Sequence, residues 1–143
     1  MRLTGPDYLA GVSLFAGLKE KDRKEIQKLG HVVFFPFSHR IITKGNPDLP
    51  SLHVVLEGSV RVVDSGRTIG RLGVGECFGE LALIDDEPRS ADVIAGEPTR
   101  CFVLPGFAFH KYLHKHPVLA INMLKALARR LRASSGLFSA TAM

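Results

Sequence analysis

The stretch from Gly75 to Ala95, GECFGELALIDDEPRSADVIA, holds the residues best suited to binding chemistry. Gly79 allows a backbone geometry that a side chain would obstruct, and Glu80–Leu83 can then form one helical turn whose first amides point outward. Such a turn favours an anion, because its N–H groups and its dipole both attract negative charge. Arg89 follows a proline where a new strand begins, and a guanidinium binds phosphate with two hydrogen bonds. Ser90 adds a hydroxyl group beside it.

Glu80 is the unexpected member of this group, because a carboxylate next to a phosphate site repels the ligand. Its natural task is to accept a hydrogen bond from a sugar hydroxyl, and a hydrogen bond to a charged acceptor contributes about 1.5–3 kcal/mol. Together these groups are suited to bind the ribose and phosphate of a nucleotide. The alternative is a surface ion pair between Glu80 and Arg89 around a tight hairpin at Gly79, and the residues alone leave both interpretations open.

Short strand-like runs broken by turn residues fill the chain between Val32 and Leu104 and must position this segment. The runs are VVFFPF, RIITKG, LHVVLEG, SVRVVDSG, TIGRLGVG, SADVIAG and TRCFVL. Several short strands punctuated by Gly, Pro, Asn and Asp indicate a sandwich or a barrel. Asp64-Ser65-Gly66 is predicted to form a hairpin turn.

Helical patterns flank these strands. Leu18–Leu29 has apolar residues at helical spacing, Phe107–Lys115 is a short helix, and Pro117 suits the first turn of another. The last helix carries one apolar stripe, consisting of Ala120, Ile121, Leu124, Leu127, Ala128 and Leu131. The predicted fold class is α+β, an antiparallel, jelly-roll-like β-barrel flanked by N-terminal and C-terminal helices. We expect one domain over 1–143, with a helical lead-in at 6–30, the barrel at 31–104 and a helical cap at 106–135.

Composition narrows the class of partner. The 143 residues carry 19 Lys and Arg against 14 Asp and Glu, and the net charge of +5 favours anionic partners. Hydrophobic residues at 45% and charged residues at 23% exclude a disordered chain. Cys77 and Cys101 each lie in an apolar run, which favours a reduced, cytoplasmic protein and leaves one disulfide open. The longest mostly apolar stretch, Cys101–Phe109, is far short of the ~20 residues that span a membrane.

The residue pattern gives little support for an enzymatic function. A metal-dependent barrel enzyme of the cupin kind needs clustered histidines, whereas His39 and His53 are isolated from each other. His110, His114 and His116 lie beside lysines on a polar helix. No nucleophile–base arrangement or pair of catalytic carboxylates is present, so we predict no catalytic residues, no metal site, no cofactor and no enzymatic activity.

The segment FGELALIDDEPRSADV resembles the phosphate-binding cassette of the cyclic-nucleotide-binding domain family, which includes catabolite-activator-type regulators and protein-kinase regulatory subunits. KGNPDLPSLHVVLEGSVRVV resembles the family's glycine-rich turn and strand, and HPVLAINMLKALARRLRAS resembles its helical cap. The resemblance implies that Glu80 accepts from the ribose 2′-hydroxyl in the space left by Gly79. The remaining roles that it implies are cyclic phosphate binding by the amides of Leu81 and Ala82 and by Arg89, a phosphate or base contact from Ser90, and adenine contacts from Ser134 and Ser135.

The function implied by this resemblance is a cyclic-nucleotide sensor whose C-terminal helix closes over the ligand, with cAMP favoured over cGMP as that ligand. Output would pass to a protein partner, or to a second copy through the stripe of Ile121, Leu124 and Leu131, although that stripe could equally pack on its own barrel. Catabolite-activator-type regulators continue into a helix-turn-helix domain, and the sequence ends at Met143. We therefore expect a stand-alone module without a DNA-binding domain, in which Arg129-Arg130-Leu131-Arg132 is a solvated helix face. The alternative is a degenerate module that keeps the fold and acts as a protein-interaction domain without ligand.

Overall fold

The chain folds into helices that flank two β-sheets. The computed structural model describes residues 6–45, 50–80, 83 and 91–134. A short 3₁₀ helix, Ser13–Phe15, precedes the longer helices, which are α1 (Glu20–Gln27), α2 (Gly106–Lys115) and α3 (Pro117–Ser134). Proline at the first position of α3 suits a helix start, because the N–H that proline lacks would have no partner within the helix there.

The strands form two antiparallel sheets. They are β1 (His31–Phe35), β2 (Arg40–Ile42), β3 (Ser51–Glu57), β4 (Val60–Asp64), β5 (Arg67–Leu72), β6 (Cys77–Phe78), β7 (Asp92–Ala95) and β8 (Thr99–Pro105). The first sheet has the order β1-β8-β3-β6 and the second has the order β2-β7-β4-β5. The predicted jelly-roll fold with flanking helices is confirmed, with its strands grouped as two four-stranded sheets. Strand β6 is absent from the sequence prediction because it has only two residues.

The central strands of the first sheet, β3 and β8, bury side chains on both faces, since successive side chains of a strand point to opposite sides. Val55 and Cys101 face the second sheet and pack with Val60 and Val93. The other face packs against the helices through a cluster that includes Leu52, Val54, Phe102, Leu104, Phe15, Ile26 and Phe109. Burial of each such large side chain contributes roughly 1.5–3 kcal/mol. The helices and this sheet therefore share one apolar cluster.

The two cysteines lie on opposite faces of the first sheet. Cys77 pairs with Val54 and belongs to the cluster under the helices, whereas Cys101 pairs with Val55 and belongs to the cluster between the sheets. Both thiols are free, so the disulfide that the sequence left open does not form. Burial raises the pKa of Cys101 to about 12 and raises the pKa of Cys77 as well.

The turn between β4 and β5 follows the sequence prediction. Ser65 and Gly66 have φ values of 53° and 79°, both in the left-handed region. Positive φ at both central residues is the requirement of the hairpin turn whose twist matches that of its strands. Asp64-Ser65-Gly66 therefore forms the predicted hairpin and places β5 beside β4.

Candidate functional site

Strand β6 positions the start of the candidate binding segment, which we define as residues 79–90. Phe78 pairs with His53 of β3, and the two rings stack with centroids 4.8 Å apart. Gly79 follows with a φ of 89°, a left-handed conformation that favours glycine. Glu80 and Leu83 are helical, and Leu83 is fully buried in the cluster under the helices. The direction of the chain at Glu80 is therefore set by packing on both sides of it.

Glu80 is joined directly to the C-terminal helix. Its side chain is only 12% exposed, and its Oε2 lies 3.3 Å from Nη2 of Arg130 on α3. The same nitrogen lies 3.5 Å from the carbonyl oxygen of Cys77. Arg130 is exposed, as predicted for this basic face, with a side chain that is 44% exposed, but its contact with Glu80 is absent from the sequence prediction. A basic residue at helical spacing from an apolar face was the signal that could have identified it.

A cleft of about 300 Å³ lies between the 3₁₀ helix, β6 and α3. Its lining includes Cys77, Glu80, Met123 and Arg130. Asn122 closes one side, because its Nδ2 donates to the carbonyl oxygens of Leu14 and Ala16 at 2.8 and 2.9 Å. This volume is at the lower end of the range for small-molecule sites. The cleft therefore brings the N-terminal segment, the binding segment and α3 together.

A model of the cyclic nucleotide-binding domain family matches residues 32–116, which is more than half of the chain. The chain belongs to this family. It is 36% identical over 107 residues to the Cyclic AMP receptor protein of Thermus thermophilus, a match that covers 67% of this chain and 50% of that protein. It is also 35% identical over 133 residues to Glutaminase 2 of Bradyrhizobium diazoefficiens, covering 90% of this chain and 21% of that protein.

The solved structures agree with this assignment. A cyclic nucleotide-binding domain from Methylobacillus flagellatus superimposes with a TM-score of 0.77 at 28% identity, covering 94% of this chain and 80% of that one. The chain spans between about a fifth and a half of the length of the two curated relatives described above. The family therefore accounts for the two sheets and the flanking helices of this chain.

The outward side of α3 decides between the two alternatives that the sequence left open for the apolar stripe of this cyclic nucleotide-binding domain. Leu119 and Met123 are the buried residues of the helix, whereas Ile121, Leu124 and Leu131 are 50%, 66% and 56% exposed. The alternative that the predicted stripe packs on its own barrel is therefore wrong for these three residues. The buried side of the helix is turned relative to the predicted stripe, because Asn122 and Met123 face the 3₁₀ helix.

Several residues predicted for the nucleotide site fall outside the described residues. These are Leu81, Ala82, Arg89, Ser90 and Ser135. Ser134 is the last residue of α3. Two residues after Ser90, Asp92 accepts hydrogen bonds from Nη1 of Arg40 at 3.0 Å and from the backbone N–H of Lys44 at 2.6 Å. These bonds fix the start of β7, the strand that follows the binding segment.

The described residues contain no group of three or more His, Cys, Asp or Glu side chains that could hold a metal ion. Nδ1 of His114 lies 2.9 Å from the carbonyl oxygen of His110, so the two predicted helix neighbours contact each other through the backbone. In the same part of the chain, no helix is long and apolar enough to cross a membrane.

Proposed function

We propose that this domain binds a cyclic nucleotide, with cAMP preferred over cGMP, and that binding regulates a partner. The observation that carries the proposal is the contact between Glu80 and Arg130. A carboxylate has about four lone-pair sites, and among the described residues only Oε2 of Glu80 has a hydrogen-bond or ion-pair contact. In this proposal Oε1 accepts from a ribose 2′-hydroxyl while Arg130 holds the carboxylate in place.

The phosphate end of the ligand would be bound by the segment that follows Glu80. In this proposal the amides of Leu81 and Ala82 donate to the cyclic phosphate, Arg89 pairs with its charge, and Ser90 donates a further hydrogen bond. Ser134 and Ser135 would contact the base from the end of α3. The name of the Thermus thermophilus relative, a Cyclic AMP receptor protein, supports cAMP as the ligand.

Regulation would work through α3. Because Arg130 joins α3 to Glu80, a ligand that engages Glu80 also changes the energy of the helix position. A ligand shifts such an equilibrium only by its difference in affinity for the two states. We propose that the ligand-bound state is the one with α3 closed over the nucleotide.

The exposed residues of α3 are the proposed output surface. Ile121, Leu124 and Leu131 would contact a second copy of the chain or a protein partner through this helix. Light scattering coupled to gel filtration tests the second copy: wild type is expected to be a dimer, and Leu124→Glu a monomer with the same helix content. A monomeric wild type at high micromolar concentration would leave a different protein as the partner.

We further propose that the domain is regulatory rather than catalytic and works in the cytoplasm. The two buried, unpaired thiols are compatible with a reducing compartment. The competing function is that of a protein-interaction module which keeps the fold without binding ligand.

Isothermal titration calorimetry of nucleotide-free protein separates the two functions. We expect heat with cAMP, weaker binding with cGMP, and a large loss of affinity in Arg89→Ala. A folded sample that gives no heat with either nucleotide at hundreds of micromolar would refute the sensor and favour the interaction module. Normal cAMP binding by Arg89→Ala would refute the placement of the phosphate site.

A further inference from the structure

The outward face of the second sheet carries a row of arginines. Val60 lies opposite Ala95 in β7 and Leu72 in β5, and these residues pack into the core between the sheets. Neighbouring positions on a strand face opposite sides, so the next residue pairs, Arg61 with Ile94 and Arg61 with Arg71, face outward. Arg40 lies opposite Ile94 and extends the row to a third arginine. We call Arg40, Arg61 and Arg71 the arginine row.

The positive charge of this row is only partly balanced. Arg61 and Arg71 are direct cross-strand partners, an arrangement in which like charges destabilise a sheet. Asp92 pairs with Arg40, and Asp64 pairs with Nζ of Lys44 at 2.6 Å. Nη1 of Arg61 donates to Oγ1 of Thr68 at 3.0 Å. Within residues 6–45, 50–80, 83 and 91–134, no carboxylate lies within 4.0 Å of the Arg61 or Arg71 guanidinium. On the described part of this face, two guanidinium groups can therefore pair with carboxylates from another molecule.

Strand β5 supplies the second feature of this surface. It is an edge strand of the second sheet within the described part of the chain, and Ile69 in its middle is 63% exposed. An edge strand presents backbone donors and acceptors to which an extended peptide can add as a further strand. In an added strand, residues opposite Arg71 would have their Cβ atoms about 4.5–5.5 Å from its own. An acidic residue at that position would neutralise the like-charge pair.

Charge and composition select the occupant. A second copy pairing β5 with β5 would bring more arginines to the same edge, so self-association there is disfavoured. Single-stranded nucleic acids bind proteins by stacking on aromatic side chains, and none of the strands β2, β4, β5 and β7 contains an aromatic residue. We propose that the edge of β5 and the arginine row bind an extended acidic segment of a partner protein, which adds as a strand beside β5.

Fluorescence anisotropy tests this proposal with a labelled ten-residue peptide of alternating Glu and Val. We expect saturable binding to wild type, at least tenfold weaker binding to Arg61→Glu/Arg71→Glu, and unchanged binding to Lys21→Glu/Lys28→Glu. The second variant makes the same change of net charge at two exposed positions, one in α1 and one directly after it. A peptide N-methylated at alternate residues should also bind at least tenfold more weakly, because it cannot complete the backbone hydrogen bonds of an added strand.

The opposite results would overturn the proposal. Equal loss in both charge-reversal variants would mean that only net charge attracts the peptide, and equal binding of the N-methylated peptide would exclude strand addition. Binding of a 20-base-pair duplex DNA through Arg61 and Arg71, with none of the peptide, would assign the face to nucleic acid. Arg71→Thr is the control for misfolding. It should raise the melting temperature slightly, because it removes the like-charge pair, and it should still lower the affinity for the peptide. Cyclic nucleotide is absent from these measurements, so their outcome is independent of the proposed sensor function.

Discussion

Two arginine–carboxylate pairs connect α1 and α3 to other segments of this domain, and within the described residues they differ in how many carboxylate oxygens the arginine contacts. Between the N-terminal segment and α1, Nε of Arg23 lies 3.2 and 3.1 Å from the two oxygens of Asp7, and Nη2 lies 2.8 Å from Oδ2. Nη1 of Arg23 also donates to the carbonyl oxygen of Leu18. Between Glu80 and α3, a single nitrogen of Arg130 makes longer contacts of 3.3 and 3.5 Å.

Burial does not explain this difference. The Asp7 and Glu80 side chains are 17% and 12% exposed, so both carboxylates are similarly shielded from water. Within the described residues, what separates them is the number of carboxylate oxygens that contact arginine: both oxygens of Asp7 accept from Arg23, whereas Arg130 contacts one oxygen of Glu80. A pair with its bonds filled stabilises a fold, and a pair with an open acceptor can take a ligand hydroxyl.

The largest expected effect comes from replacing the open acceptor. Glu80→Gln keeps the shape of the side chain and removes its charge. A hydrogen bond to a charged acceptor contributes about 1.5–3 kcal/mol, so cAMP affinity should fall about 10- to 150-fold by calorimetry. Asp7→Asn is the matched control and should leave the affinity unchanged. A similar loss of affinity in both variants would show that the two pairs do not differ in function.

Replacing each arginine with methionine separates an effect on stability from an effect on cAMP binding. Arg23→Met removes several short hydrogen bonds and should lower the melting temperature by a few degrees, with cAMP affinity unchanged. Arg130→Met should leave the melting temperature within about a degree and weaken cAMP several-fold, because Glu80 loses the group that holds it. Tighter cAMP binding by Arg130→Met would mean instead that Arg130 competes with the ligand for Glu80.

Labelling of the two cysteines reports whether Arg130 holds α3 against β6. Iodoacetamide should modify both buried thiols slowly in wild type, because burial raises the pKa of each. In Arg130→Met, peptide mapping by mass spectrometry should show several-fold faster modification of Cys77 and no change at Cys101. The positive charge of Arg130 lowers the pKa of Cys77, so its removal alone would slow the reaction. Faster modification at both cysteines would report loss of the whole fold.

The sequence predicted the parts of the fold that depend on local patterns. The hairpin at Asp64-Ser65-Gly66 and the helix start at Pro117 follow from backbone preferences of a few residues. The contact between Glu80 and Arg130 joins residues that are 50 positions apart, and no local pattern specifies it. It depends on the rotation of α3, which is set by the packing of Leu119 and Met123.

That rotation also explains why the sequence left open whether the apolar stripe is exposed or buried. Helical spacing places Ile121, Leu124 and Leu131 on one apolar face, and an apolar face of a helix usually packs against the core. The helix instead buries Leu119 and Met123, next to Asn122, whose amide donates to the 3₁₀ helix. A side-chain amide that satisfies two backbone carbonyl oxygens at a distant turn has no signature in the sequence.

The smallest expected effect concerns an exposed pair on the second sheet, Lys44 with Asp64, which makes one short contact of 2.6 Å. The hydrogen bond from Lys44, followed by its charge, holds the pKa of Asp64 below its ordinary value. A carboxyl group with a lowered pKa in the folded state contributes stability above its unfolded pKa of about 3.9, and this contribution is lost as the pH falls through the folded pKa.

Asp64→Asn should therefore melt slightly below wild type at pH 6, by about a degree or less, since exposed pairs contribute little. The two melting temperatures should converge as the pH is lowered from about 4 to 2. Lys44→Met should show the same convergence, because it removes the same contact. A difference in melting temperature that persists at the lowest pH would assign the effect to local packing. The exposed pair would then give no reference value for the stabilisation that the less exposed pairs of Asp7 and Glu80 provide.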